Sequence, residues 1–500
     1  MPHCADWHRQ SQLGVAAYPV VVDLAVGFDL DMTLVDSSEG IVATVRAALG
    51  EQGVTVDRAD VWPLLGLPLE LILGPHLPQD RLAAATARYR ELYPLIGVPG
   101  CRVLPGAVQA LDAVRALHGR VVVVSAKLER SVHLVLEHVG LSADVVVGDL
   151  FGTAKATALR SHGVSVYVGD HSADVEGALA AGATSVGVTT GPVSADDLRA
   201  AGADVVLGSL TEMPAWLDGH VLDARLAMLD AGLRDLDSVL VAFSGGADSA
   251  LLLAAAVRAL GPDKVAAATA VSGSLAGGEL DQAATFAASL GVRHLRPRTD
   301  EMASEGYRAN AGDRCFFCKA ELLDVLGPLA TEHELAAVAT GTNADDALAG
   351  FRPGIAAAAQ RGARTPLRDA GLTKAQVRSA SARWGLPTWD KPAAACLSSR
   401  IAYGVQITDA GLARVDRAER AARTALTAAG VVVRDLRVRD LGGGRARLEL
   451  DASALAAVGP HADAVAAAVT DAGFAAAEID PRGFRSGSMN EQLSAPERYR

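Results

Sequence analysis

Short β-branched runs alternate along this chain with longer stretches in which alanine, leucine and arginine recur at helical spacing. The runs fall at 121–124, 145–147, 164–168, 186–188 and 239–243. Runs of that length between amphipathic helices predict βαβ units and parallel sheets. The pattern lapses at 211–220, where Pro214, Trp216 and Gly219 interrupt it, and a new helix is predicted from about Val221. It changes again after Tyr403-Gly404. An amphipathic helix is expected over 412–429, strands over 431–438 and 446–450, and a helix near 462–472. The prediction is an α/β chain with two doubly wound parallel-sheet domains, at 22–215 and 221–404. A small α+β domain over 405–490 follows. The largely helical interval 37–104 is expected to cap the first sheet.

A chain of 500 residues exceeds what one hydrophobic core supports, which agrees with several domains. Apolar residues make up 50%, much of it alanine, and no run of about 18 apolar residues occurs, so no membrane span is expected. The apolar segment 13–22 is broken by Asp23 and is read as a leader into the first strand. The net charge of −12 argues against nucleic acid as a partner. Five cysteines, at 4, 101, 315, 318 and 396, are too sparse for a disulfide framework, and the cytoplasm is the expected compartment.

Candidate chemistry begins where the first strand ends. Asp29 and Asp31 are two residues apart in Phe28-Asp29-Leu30-Asp31-Met32-Thr33, and period two along an extended chain puts them on one side. One carboxylate can then attack phosphorus while the other moves a proton. Such a site also needs a hydroxyl, a lysine and cation ligands. Ser125 follows the run at 121–124, Lys155 opens a helix, and Asp170 and Asp174 follow the run at 164–168. Together these motifs resemble the haloacid dehalogenase-like (HAD) hydrolases over residues 22–215. The resemblance implies a HAD-like Rossmannoid fold with Asp29 as nucleophile and Asp31 as general acid/base. It further implies Thr33, Ser125 and Lys155 around the phosphoryl group, and Mg²⁺ held among Asp29, Asp31, Asp170 and Asp174. Met32 departs from the family, which usually has glycine there.

The second site starts at Ser244-Gly245-Gly246-Ala247-Asp248-Ser249, after the run at 239–243 and before a predicted helix. Two glycines let successive N–H groups converge on an anion at a helix start. Ser244 and Ser249 can donate to phosphate and Asp248 can hold Mg²⁺. No Gly-Lys-Ser/Thr follows, so this is not a γ-phosphate-transfer loop. The segment resembles the PP-loop ATP pyrophosphatases, which leave AMP on a substrate oxygen.

Three further segments narrow that resemblance: Arg314-Cys315-Phe316-Phe317-Cys318-Lys319; Asn343-Ala344-Asp345-Asp346 followed by Arg352; and Cys396-Leu397-Ser398-Ser399-Arg400. With them the chain from 221 to 490 resembles the LarE-type sulfurtransferases of nickel-pincer nucleotide synthesis, which serve lactate racemase. The resemblance implies ATP-dependent adenylation of a pyridinium dicarboxylate mononucleotide and displacement of AMP by sulfur. Asn343, Asp345, Arg352 and Arg400 are expected to contact ATP or substrate, and Arg437 and Arg439 the substrate phosphate. Cys315, Cys318 and Cys396 are expected to hold a [4Fe–4S] cluster, with an iron left open to carry sulfur. Sacrifice of the Cys396 sulfur, a zinc site and a redox pair stand as alternatives. A homo-oligomer and the other proteins of the lactate racemase cofactor pathway are the partners the resemblance implies. The competing reading is a tRNA thiolase of the PP-loop, iron–sulfur type.

Overall fold

A computed structural model describes residues 24–348, 353–392 and 395–485. The chain divides into two compact units, Val22–Val221 and the chain from Leu222 onward.

In the first unit, six parallel strands form one sheet: β1 (Ala25–Phe28), β2 (Arg120–Val124), β3 (Val145–Val147), β4 (Val164–Gly169), β5 (Thr184–Val188) and β6 (Val205–Leu207), in the order β3-β2-β1-β4-β5-β6. Every residue of β1 is buried, which is why it reads as an unbroken apolar run rather than an alternating one. Between β1 and β2 lies a helical insertion that includes α1 (Ser38–Gly50), α2 (Leu69–Leu73) and α3 (Gln79–Ile96). Two further helices, α4 (Lys155–Ser161) and α5 (Ser172–Ala181), flank β4. The carboxyl ends of the central strands therefore carry the sites, as open parallel sheets do.

Helix α6 (Met213–Arg234) carries the chain past Val221. It starts well before the position expected from the sequence. Pro214 is its second residue, where the missing N–H costs nothing, so the proline does not mark an interruption.

The second unit has a four-stranded parallel sheet, β7 (Val239–Ala242), β8 (Val265–Ala268), β9 (Arg293–Leu295) and β10 (Ala337–Thr340), in the order β9-β8-β7-β10. Around it lie α7 (Ala247–Leu260), α8 (Arg314–Glu332), α9 (Ala344–Leu348) and α10 (Lys374–Arg383). The tail adds α11 (Asp409–Ala428), β11 (Leu436–Asp440), β12 (Arg445–Leu450), α12 (Ala462–Asp471) and β13 (Ala476–Ile479). Strands β11 and β12 pair antiparallel, β12 and β13 parallel. The tail has its own three-stranded sheet and lies in the same compact unit as the four-stranded one. The reason is a shared core: Tyr307, Leu397 and Ile401 pack with Leu412, Val415, Val438 and Leu448. Among the described residues one segment, Ala452–Asp471, is apolar enough by composition to cross a membrane. Short helical pieces break it at Gly459–His461, and Val458, Val465 and Val469 are buried in that same core.

Candidate active sites

The first site is built on the ends of β1, β2 and β4. The Asp29 amide donates to Val168 O at 2.8 Å, carrying strand pairing one residue past β1. Lys155 Nζ bridges Asp29 Oδ1 at 2.8 Å and Asp174 Oδ1 at 2.6 Å, and also meets Tyr167 Oη at 2.8 Å. Thr33 Oγ1 donates to Asp170 Oδ1 at 3.1 Å. Ser125 is buried beside them.

Asp29, Asp170 and Asp174 each offer a carboxylate oxygen within 4.8 Å of the others. Asp170 Oδ2 is buried with no protein donor, and a Cβ at Gly191 would overlap that oxygen, so glycine keeps its space open. Three converging carboxylates with one unsatisfied oxygen fit Mg²⁺, a hard cation that takes oxygen ligands. Asp31 does not join them. Its carboxylate pairs with Lys127 Nζ at 3.0 Å. Its side chain therefore lies apart from the three converging carboxylates.

Lys127 was not singled out from the sequence. It lies two residues past Ser125, and its amide donates to Ser125 Oγ at 3.3 Å. A cation that close behind the phosphate-binding serine was the available signal.

Met32 has φ 59°, the left-handed region in which glycine is the usual residue. That conformation costs a non-glycine residue roughly 1–2 kcal/mol. The side chain is buried in the core, which returns about 1.5–3 kcal/mol. The two terms offset, so the departure from glycine is tolerated.

Burial, opposed by Lys155 and reinforced by Asp174 and Asp31, pushes the Asp29 carboxyl up to about 7. Burial also holds Asp170 well above the ordinary range. Lys155 stays charged because Asp174 and Asp29 outweigh its burial. The folded Asp29 value lies above the ordinary 3.8, so without metal the fold binds this proton more tightly than the unfolded chain does. That stabilisation is present below about pH 4 and is lost as pH rises towards about 7. A cation competes with the proton for the same oxygens. Mg²⁺ is therefore expected to raise the thermal midpoint of this unit more at pH 8 than at pH 5. Equal shifts at both would contradict the assignment.

Lys155→Met leaves Asp29 and Asp174 buried and facing one another. Breaking a buried pair from one side costs about 3–5 kcal/mol. Urea unfolding of the Mg²⁺-free variant should show a loss of that order, and an unchanged midpoint would contradict it.

The second site gathers at the carboxyl ends of β7 and β10. After β7 the chain turns through Gly245, at φ 72°, into the N-terminus of α7. Ser244 Oγ and Ser249 Oγ lie 3.2 Å apart, and Ser249 Oγ donates to Gly246 O at 3.1 Å. A Cβ at Gly341 would sit 2.8 Å from the Ser249 amide, so glycine permits the end of β10 to approach the loop. Asp248 accepts from Asn343 Nδ2 at 3.2 Å and pairs with Lys374 Nζ. The Lys374 amide donates to Asp345 at 2.7 Å, and Asn343 and Asp346 exchange hydrogen bonds, each 3.2 Å, that cap α9. Lys374 is the second residue missed from the sequence, because its helix start lies far along the chain from Asp248. Arg352 lies outside the described residues.

A cavity of about 380 Å³ opens over this loop, within the ~300–1,000 Å³ typical of small-molecule sites. Its lining includes Ser244, Asp248, Ser249, Cys318, Lys319 and Cys396. Cys315 lies one turn before Cys318 on α8 and is exposed. Burial, with Cys396 and Glu301 adding, pushes the Cys318 thiol well up. Cys396 stands exposed at the start of the turn Leu397–Arg400, and its segment is held from several sides. Arg400 donates to Cys396 O at 2.9 Å and pairs with Glu419 at 3.0 Å. Arg314, buried, donates to Ser398 O at 3.0 Å, and the Leu397 amide donates to Ser274 O at 2.8 Å. Arg439 pairs with Glu449 at 2.7 Å and donates to Ser399 O at 3.0 Å. Arg437 is buried and stacks over Phe484. Neither arginine lies on an exposed edge face. Arg400 and Arg439 thus position the Cys396 segment.

Two α/β units, one gathering carboxylates and a lysine and the other a glycine turn and serines beside cysteines, place polar side chains at the carboxyl ends of parallel strands, as enzymes of this class do. Residues 26–188 match the model of the haloacid dehalogenase-like hydrolases. The chain is 33% identical over 276 residues to the pyridinium-3,5-bisthiocarboxylic acid mononucleotide synthase of Lactiplantibacillus plantarum, covering 55% of this chain and 96% of that one. It is 47% identical over 199 residues to an uncharacterised protein of Synechocystis sp., covering 40% of this chain and 74% of that one. It is 31% identical over 207 residues to a probable phosphatase, IndB, of Dickeya dadantii, covering 37% of this chain and 90% of that one. The chain belongs to the LarE-type family of that synthase and carries a haloacid dehalogenase-like hydrolase domain in its N-terminal half.

Proposed function

We propose that the second unit adenylates a carboxylate of a pyridinium-3,5-dicarboxylate mononucleotide with ATP and replaces an oxygen by sulfur. The observation that carries this reading is that Cys318 and Cys396 line the same cavity as Ser244, Asp248 and Ser249. A carboxylate oxygen is a poor leaving group, and AMP is a good one. The loop amides and the start of α7 would take the phosphates. Asp248 would hold Mg²⁺, and Lys374, which pairs with Asp248 in the free protein, would turn to the departing pyrophosphate. The acyl adenylate then lies against the cysteines.

Cys315, Cys318 and Cys396 would hold a [4Fe–4S] cluster, which supplies a transferable sulfide when bound. The donor set fits, since three soft sulfurs are open to solvent or to the cavity. Anaerobic purification should give brown protein with about four irons per chain. Colourless, iron-free protein whose Cys396 loses H₂S on turnover would overturn the cluster in favour of self-sacrifice. Pyrophosphate release that depends on the carboxylated nucleotide tests the adenylation itself.

The first unit is proposed to be a Mg²⁺-dependent phosphatase. Asp29 attacks phosphorus, Asp31 moves the proton, and Lys155, Thr33 and Ser125 surround the transferred group.

A further inference from the structure

The cavity beside Cys318 and Cys396 holds a buried carboxylate to which the reaction above gives no part. Glu301 lines that cavity, opens the short turn Glu301–Ala303 and is only 4% exposed. Ser272 Oγ donates to Glu301 Oε1 at 2.5 Å, and Ser274 Oγ donates to the same oxygen at 2.6 Å. Among the described residues Oε2 has no donor, and no cation lies within ion-pair distance of either oxygen. Lys319 lines the same cavity and is not paired with it. Oε2 is not walled in, so it faces the cavity.

The fold sets where this carboxylate stands. Past β8 and β9 the chain segments run side by side, with the Val271 amide donating to Pro297 O at 2.8 Å and the Thr299 amide to Val271 O at 3.4 Å. That pairing brings Ser272 and Ser274 to Glu301. Ser274 then ties the group to the sulfur end of the cavity, since its carbonyl accepts from the Leu397 amide, next to Cys396, at 2.8 Å. Glu301 accordingly adds to the upward push on the Cys318 thiol.

Two neutral hydroxyls offset only part of what a carboxylate loses on leaving water, and buried charges are normally paired. The described residues supply no cation here, so the ligand is the remaining source. A ribose hydroxyl would fill Oε2 and leave the charge unmatched. A pyridinium ring matches it with a fixed positive charge that no pH removes. That charge is spread over the ring nitrogen and the carbons beside it, so a carboxylate can lie against the ring although the nitrogen carries the ribose. The 3- and 5-carboxylates point away from the nitrogen and are free to meet the ATP site.

We infer that Glu301 is the specificity-determining residue for the charge of the acceptor ring: it holds a positive pyridinium beside Cys396 and disfavours an uncharged aromatic dicarboxylate of the same shape. The inference rests on the adenylation reading above and adds to it the residue that selects a cationic ring.

The test uses two competitors of one shape on the full chain, N-methylpyridinium-3,5-dicarboxylate and 5-methylbenzene-1,3-dicarboxylate. Each is measured against the pyridinium dicarboxylate mononucleotide in the pyrophosphate-release assay. The cationic ring should inhibit at least about tenfold more tightly than the neutral one. Glu301→Gln keeps an acceptor for both serines. It should bring the two inhibition constants to within about twofold, raise KM for the mononucleotide by about tenfold and leave KM for ATP within about twofold. Thermal midpoints check that the variant folds. Equal inhibition by the two rings in the unaltered protein overturns the inference, whether or not the variant folds. So does an unmoved ratio in folded Glu301→Gln, or a rise in its KM for ATP alone, which would assign the carboxylate to the ATP ribose. Each of these leaves the adenylation reading standing. No pyrophosphate released with the mononucleotide overturns both.

Discussion

Cys396→Ala is expected to lower sulfur incorporation by at least about a thousandfold while pyrophosphate release stays within a few-fold of the unaltered protein. The split follows from position. The loop residues that handle ATP are fixed by their own contacts, Ser244 to Ser249 at 3.2 Å and Asp248 to Asn343 at 3.2 Å. None of these contacts involves Cys396. The Cys396 backbone is held by Arg400 through its carbonyl, a contact that alanine keeps. The variant should therefore fold, bind ATP and form the adenylate, and lack only the sulfur atom. Product assays by mass spectrometry, run beside a pyrophosphate assay, separate the two steps. Equal loss in both would mean that Cys396 shapes the ATP site, and the division of labour would be wrong.

Asp29→Asn should abolish phosphatase activity, by a factor on the order of 10⁴ or more, and leave the ATP-dependent reaction unchanged. The amide keeps the size of the side chain and removes the nucleophile. It also removes a charge from the group shared by Asp170 and Asp174, so Mg²⁺ should bind more weakly. Lys155 retains Asp174 at 2.6 Å, so the fold should survive. Activity within tenfold of the unaltered protein would show that another group attacks phosphorus.

The first site was largely legible because its residues sit at strand ends that short apolar runs announce. Asp29, Thr33, Ser125, Lys155, Asp170 and Asp174 follow such runs or a helix start, and the sheet order brings them together. Lys127 escaped because a lysine in a loop resembles any solvated charge until Asp31 and Tyr93, whose hydroxyl lies 2.8 Å from its Nζ, are seen around it. Lys374 escaped for a longer-range reason. It reaches Asp248 only because α10 starts beside α9, which no local pattern encodes. The spacing of Asp31 from Asp29 says which side of the strand it faces, and not that Lys127 is the partner it finds. The start of α6 was hidden by Pro214, which breaks a helix interior and suits a helix start. Leu397 and Ile401, next to Cys396, also fill the core they share with the tail, a contact no local pattern encodes.

The central claim is that one cavity couples ATP cleavage to sulfur transfer. The most direct measurement is the ratio of pyrophosphate released to sulfur incorporated, on anaerobic full-length protein with a pyridinium dicarboxylate mononucleotide. The account predicts equal amounts of the two, and neither without the nucleotide. Pyrophosphate released freely without the nucleotide, or sulfur incorporated without pyrophosphate, would contradict it.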